Sequence, residues 1–235
     1  MKKTLLTLTL LVFIITSFSQ QVAREKVIIE NGTGTWCGWC PSAHQGIEDL
    51  INAGCEVAPI AYHSGDVFET PASAHRISYY GITGFPCSYF DGVIEASGGS
   101  TSGTTYNAYL PHYQTRIAIP CDYTLGIYGQ NTGGNNYSIS LVIDLENGTP
   151  PSDLTAQLVL TETHIPYQWQ GEDYVDYCER AMYPDQFGTT VDFAGGDQVV
   201  ISYNITLDAA WDIDYIDLIA FVQEESSKEI HQGTM

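Results

Sequence analysis

Apolar and polar positions follow two different rhythms along this 235-residue chain. From Lys26 to Arg116, short apolar runs alternate with stretches whose apolar residues recur every three or four positions. Lys26 to Glu30 is β-branched and apolar and reads as a buried strand. Pro41 then suits the first turn of a helix, Ala43, Ile47, Leu50 and Ile51 recur at helical spacing, and Gly54 stops it. Cys55 to Tyr62 is strand-like again. Thr70-Pro71 caps a second helix that Gly81 closes, Cys87 to Phe90 reads as a strand ending in the turn Asp91-Gly92, and a helix is expected near Tyr106 to Arg116. This order predicts an α/β layer with the end of its first strand next to the first helix start.

Beyond Ile119-Pro120 the rhythm is period two. Tyr137, Ile139, Leu141, Ile143 and Leu145 share one face; Leu154, Ala156, Leu158 and Leu160 repeat the device, as do Val199, Ile201, Tyr203, Ile205 and Leu207. Gly/Asn/Pro clusters separate these runs and no helical segment intervenes, so residues 119–235 are expected to form an immunoglobulin-like β-sandwich domain. Residues 20–118 are the expected α/β domain.

Residues 1–19 read as a signal peptide, with Lys2 and Lys3 before an apolar run from Leu5 to Ile15 and small residues at Ser17 and Ser19. No later run is long enough to span a membrane, so an exported protein of the periplasm, outer membrane or medium is expected, without a stable membrane span. Eight basic side chains stand against 28 acidic ones, a net charge of -20, which disfavours nucleic acid as a partner. Export permits disulfides among Cys37, Cys40, Cys55, Cys87, Cys121 and Cys178, although a chain of this size does not depend on them for its core.

The chemistry concentrates in Trp36-Cys37-Gly38-Trp39-Cys40-Pro41. A Cys at a helix start meets unpaired N–H groups and the positive end of the helix dipole, both of which favour thiolate. A second Cys one turn away can attack a mixed disulfide formed by the first. Cys37, first in the pair, is the expected nucleophile, and Cys40 the resolving thiol.

The dithiol, followed by Gly84-Phe85-Pro86, a strand and Asp91-Gly92, resembles the thioredoxin-like domains. The resemblance implies that Pro86 is cis and faces the dithiol; Phe85 stands where that family usually has Thr. A signal peptide, Gly34-Thr35-Trp36-Cys37-Gly38-Trp39-Cys40-Pro41, Thr83-Gly84-Phe85-Pro86 and then a sandwich is similar to the outer-membrane-protein-28-related family of Bacteroidota envelope proteins. The stretches Leu158 to Glu162, Tyr167 to Trp169, Arg180 to Met182 and Ile219 to Gln223 share in that likeness. It implies a thiol–disulfide oxidoreductase of the envelope, with Trp36, Gly38, Trp39, Phe85 and Pro86 forming a substrate groove. Its partners would be a protein disulfide or dithiol substrate and a redox partner; no cofactor and no metal are expected. A non-catalytic envelope binding protein and a soft-metal carrier are the alternatives.

Several further residues are candidates. Glu30, just before the dithiol, is a possible buried proton relay for the resolving thiol, whereas its neighbour Asn31 cannot titrate. Cys87 is a third redox thiol or a small buried hydrophobe. Cys121 and Cys178 lie in the second half and could pair. His44, four residues after Cys40, and His63 could add soft-metal ligands, but the spacing is no closed zinc pattern. Asp208, Asp212, Asp214 and Asp217 lack a calcium-loop pattern and read as acidic surface.

Overall fold

A computed structural model describes residues 20–235; the stretch read as a signal peptide lies outside the described residues. The chain runs β1 (Val27–Thr33), α1 (Cys40–Asn52), β2 (Val57–His63), α2 (Pro71–Tyr80), β3 (Cys87–Phe90), β4 (Ile94–Ser97), α3 (Tyr106–Ile117), β5 (Tyr123–Gly133) and β6 (Asn136–Leu145). It continues through β7 (Leu154–Glu162), β8 (Ile165–Trp169), β9 (Glu172–Val175), β10 (Cys178–Tyr183), β11 (Thr189–Thr190), β12 (Gln198–Thr206), β13 (Ile216–Glu224) and β14 (Ile230–Thr234). The local punctuation acts as the sequence leads one to expect. Pro41 sits in the first turn of α1. Thr70 caps α2 reciprocally with Ser73, and Gly81 ends it in the left-handed region at φ 69°.

β1 and β2 pair in parallel from Val27↔Val57 to Thr33↔His63, and β3 lies antiparallel on the other side of β1. All seven residues of β1 and of β2 are buried, because both faces of these strands are covered. Val27 and Ile29 pack with Ala43, Ile47 and Leu50 of α1, while Ile28 packs on the opposite face with Ala72 of α2.

The expected fold class, an α/β thioredoxin-like domain followed by an immunoglobulin-like sandwich, is overturned. The molecule is mostly β and centres on one mixed sheet of nine strands in the order β14-β13-β7-β10-β2-β1-β3-β4, with β11 also on β7. β10 joins the two halves, pairing with β2 at Cys178↔Ala61 and with β7 along its length. A three-stranded sheet, β12-β6-β5, forms the opposing layer. Alternation specifies which side chains share a face, but it does not say which strand lies alongside. The apolar run Leu158-Val159-Leu160 carried the missing signal. Leu158 and Leu160 face the three-stranded sheet, and Val159 faces the first half of the chain, so β7 is covered on both sides.

The long sheet curls so that its two halves pack on each other. Ile28, Ile60 and Tyr62 meet Val159, Ile219, Phe221 and Ile230 in one buried cluster. Gly233 of β14 lies so close to Ile28 that a Cβ there would fall 2.4 Å from its Cδ1. Ile28 is fully buried and has nowhere to move. Gly233→Ala should therefore cost about 1–3 kcal/mol by overpacking. A urea midpoint equal to that of the parent would show that the curl is looser than described.

Candidate functional site

β1 delivers the chain to a loop at Gly34–Trp39, and α1 begins at Cys40. The Cys37 amide donates to the Gly34 carbonyl at 3.0 Å, and the Cys40 amide to the Cys37 carbonyl at 3.2 Å. This tight turn brings the two Cα atoms to 5.4 Å, and the sulfurs are joined in a disulfide. Cys40 is fully buried and Cys37 is 5 % exposed.

Trp36 and Trp39, which flank the pair in sequence and are expected to line a substrate groove, are 54 % and 52 % exposed. Trp36 lies across the rim, donating from Nε1 to the Ser64 carbonyl at 2.7 Å and meeting Phe85 edge-on at 5.6 Å. The disulfide packs instead with Phe68, Trp169, Val175 and Cys178, with Phe85 at the margin. Trp169 and Val175 come from the β8–β9 hairpin, which no motif in the sequence connects to the dithiol.

The Phe85–Pro86 peptide bond is cis. Pro86 stands close to the dithiol loop. Gly99 threads between them, where a Cβ would fall 2.5 Å from the Trp39 carbonyl oxygen and 3.0 Å from Pro86 Cγ. Only a glycine leaves room for that approach.

Glu30, the expected proton relay, points away from the dithiol helix and is bound to Arg76. Strand alternation turns it to the α2 face, together with Ile28 and away from α1. There Arg76 donates to its Oε1 from Nε at 2.8 Å and from a terminal nitrogen at 2.6 Å, and the Tyr80 hydroxyl donates to its Oε2. Gln223 completes the network at 3.0 Å from Arg76. Asn31 faces the dithiol side, accepting a hydrogen bond from Ser88 Oγ at 3.0 Å.

On that side a cavity of about 20 Å³, room for about one water, is lined by Asn31, Thr33, His44, His63, Trp169 and Asp176. Each of its two wall histidines is paired with a carboxylate, His44 with Asp176 of the same wall and His63 with Asp66 beyond it. His63 Nδ1 is 2.8 Å from Asp66 Oδ2, and His44 Nε2 is 3.5 Å from Asp176 Oδ2. Burial works to raise the pKa of Asp66. The His63 imidazole and the Thr35 and Phe68 amides outweigh it and hold the carboxyl at about 2. In the sequence both histidines stand out as soft-metal ligands; Asp176 is out of view there because it arrives from a distant loop, whereas Asp66 lies only three positions from His63. Among the described residues no group of three or more His, Cys, Asp or Glu side chains could hold a metal ion.

The other thiols are free. Cys121 sits in a bridge with Val22, whereas Cys178 lies in the cluster around the disulfide, so the contemplated Cys121–Cys178 bond does not form. Burial pushes Cys178 up to about 12, Cys87 to about 11 with help from Glu95, and Cys121 to about 11. Such thiols are protonated and sluggish at neutral pH. Asp208 and Asp212 cap local turns through the Ala210 and Asp214 amides.

The fold and site define a class: a mixed β-sheet protein that presents a helix-start disulfide beside a cis-proline. No family model matches the chain, and no curated protein matches it. Among solved structures it is similar to HBP35 of Porphyromonas gingivalis, with a TM-score of 0.75 at 16% sequence identity over 92% of this chain and 76% of that one. The two share a fold. A domain of the outer membrane lipoprotein Omp28 from Porphyromonas gingivalis aligns over 48% of this chain and 85% of its own at 12% identity, with a TM-score of 0.35. No helix among the described residues is long and apolar enough to cross a membrane.

Proposed function

We propose that this protein is an exported envelope protein that exchanges disulfides through Cys37 and Cys40. One observation carries the reading: the only disulfide among the described residues lies at the start of α1, next to a cis-proline. A sulfur there is stabilised as thiolate by the free N–H groups of the first turn. Cys37, the less buried of the two, attacks a substrate disulfide. One substrate sulfur leaves as thiolate and takes up the proton that Cys40 gives up. The Cys40 thiolate then attacks Cys37, the second substrate sulfur leaves and is protonated by water, and the Cys37–Cys40 bond is formed. Two electrons pass to the substrate, and a separate protein dithiol returns them.

The exposed rings of Trp36 and Trp39, with Val67 nearby in the loop that holds Trp36, offer an apolar rim for an extended polypeptide. The burial of Cys37 favours a second reading, a structural disulfide in an envelope binding protein. Cys40→Ser separates the two. Incubated with a disulfide-containing protein, the reduced variant should accumulate a mixed disulfide at Cys37, visible as an added mass, where the parent turns over. If neither the variant nor the parent reacts, the disulfide is structural.

A further inference from the structure

We infer that the β8–β9 hairpin is a hinged cover that must lift off the Cys37–Cys40 disulfide before exchange can occur; this rests on the exchange reading above. Sulfur exchange requires the attacking atom to reach the disulfide sulfur. At 5 % exposure Cys37 is closed to it, buried in one cluster with Trp169 and Val175 of the hairpin, Phe68 and Cys178. Phe68 is itself held edge-on by Tyr167 of the hairpin at 5.1 Å.

The hairpin is built to move as a unit. β8 and β9 form a sheet of their own, outside both larger sheets. An isolated two-stranded ribbon is marginally stable by itself, so its closed position depends on what it touches. Trp169 donates from Nε1 to the Tyr174 carbonyl at 2.7 Å, which ties the covering indole to its own hairpin and not to the site. At the tip, Gln170 holds the dithiol loop by a single bond, from Nε2 to the Thr35 carbonyl at 3.2 Å.

Backbone strain marks both the hinges and the tip. Among the described residues five non-glycine residues have positive φ, and three of them are here: His164 before β8 at 62°, Gln170 at 45° and Tyr177 after β9 at 57°. Non-glycine residues in this region are costly and gather in segments that switch. The base is latched to the dithiol helix. Asp176 accepts from the His164 amide at 2.6 Å and lies 3.5 Å from His44 of α1, while Tyr177 donates to Glu48 of the same helix. Beyond the latch, the Tyr177 carbonyl is fixed to the Ala61 amide at 2.8 Å. Movement is therefore confined to residues 164–176.

The test is reduction of the oxidised protein by dithiothreitol, with the freed thiols trapped by alkylation and counted by mass. One thiolate of the reagent attacks Cys37 and releases the Cys40 sulfur as thiolate; its second thiol closes the ring and frees Cys37. Trp169→Ala should be reduced roughly tenfold faster than the parent. Gln170→Gly, which loses only the tip bond and suits the positive φ, should be faster by a smaller factor. Circular dichroism establishes that each variant is folded. In the parent, amide hydrogen exchange should show residues 165–175 opening well before β1 and β7. Equal reduction rates in folded variants, or hairpin amides that exchange only with global unfolding, would overturn the cover. Faster reduction of the variants without turnover of any protein disulfide would support the cover and end the exchange reading.

Discussion

Arg76→Met should destabilise the oxidised protein by about 3–5 kcal/mol, the cost of leaving a buried charge unpaired. Arg76 and Glu30 are both buried side chains within 2.6 Å of each other, between the two halves of the curled sheet. Glu30 has no water to turn to. Once Arg76 is gone, its remaining partner is the Tyr80 hydroxyl, which Gln223 also engages at 3.0 Å. The double variant Glu30→Gln/Arg76→Met should recover much of the loss, since it removes the stranded charge along with its partner. Urea unfolding of the parent, the single and the double variants measures this directly. A single variant within 1 kcal/mol of the parent would mean that the network is solvated and the two halves of the sheet are less tightly joined. Disulfide reduction should be unchanged in rate by Glu30→Gln, because Glu30 lies on the face away from α1.

Glu179→Gln should stabilise the protein at pH 8 by about 2–3 kcal/mol and leave it nearly unchanged at pH 4. Glu179 lies on β10 beside the bulge where that strand meets β7. Burial raises its pKa from 4.5 to about 7, with the Thr70 hydroxyl and Arg180 opposing the shift only in part. Thr70 donates to Oε2 at 2.5 Å, and Oε1 has no hydrogen-bond partner. The folded state thus holds a proton that the unfolded chain has released. The stability that this proton represents is complete below pH 4.5 and is lost as the pH rises through about 7. Gln keeps an acceptor for Thr70 and carries no charge, so its advantage should open between these limits. Thermal unfolding of both proteins from pH 4 to pH 8 reads it out, and parallel curves would show that Glu179 is solvated. Asp66 works in the opposite sense. Its depressed pKa adds stability that is present at neutral pH and fades as the pH falls from about 4 towards 2.

Much of the site was legible because its signals are local. Cys37 and Cys40 are three positions apart in any conformation, Pro41 marks the helix start, and Thr70, Pro71 and Gly81 bound the next helix through bonds made within a few residues. What escaped depends on chain segments far apart in sequence. Glu30 and Asn31 are equally close to the dithiol along the chain. Which of the two faces it is decided by strand alternation once the sheet is covered on both sides. Trp169, Val175 and Cys178 reach the disulfide, and Asp176 reaches His44, from the far half of the chain, and nothing in their own neighbourhood announces it.

By itself, then, the sequence determined the chemistry and the local elements: a dithiol at a helix start, a proline after Phe85, and strands with defined inner and outer faces. Only the tertiary structure decided which strands pair, and so whether there are two domains' worth of sheet or one. It also decided what lies over the disulfide. The physical reason is the same for both. Apolar faces seek burial without regard to partner, and period-two alternation is identical for every strand that carries it. The choice of β10 beside β2, and of a hairpin over Cys37, rests on the packing of the whole molecule.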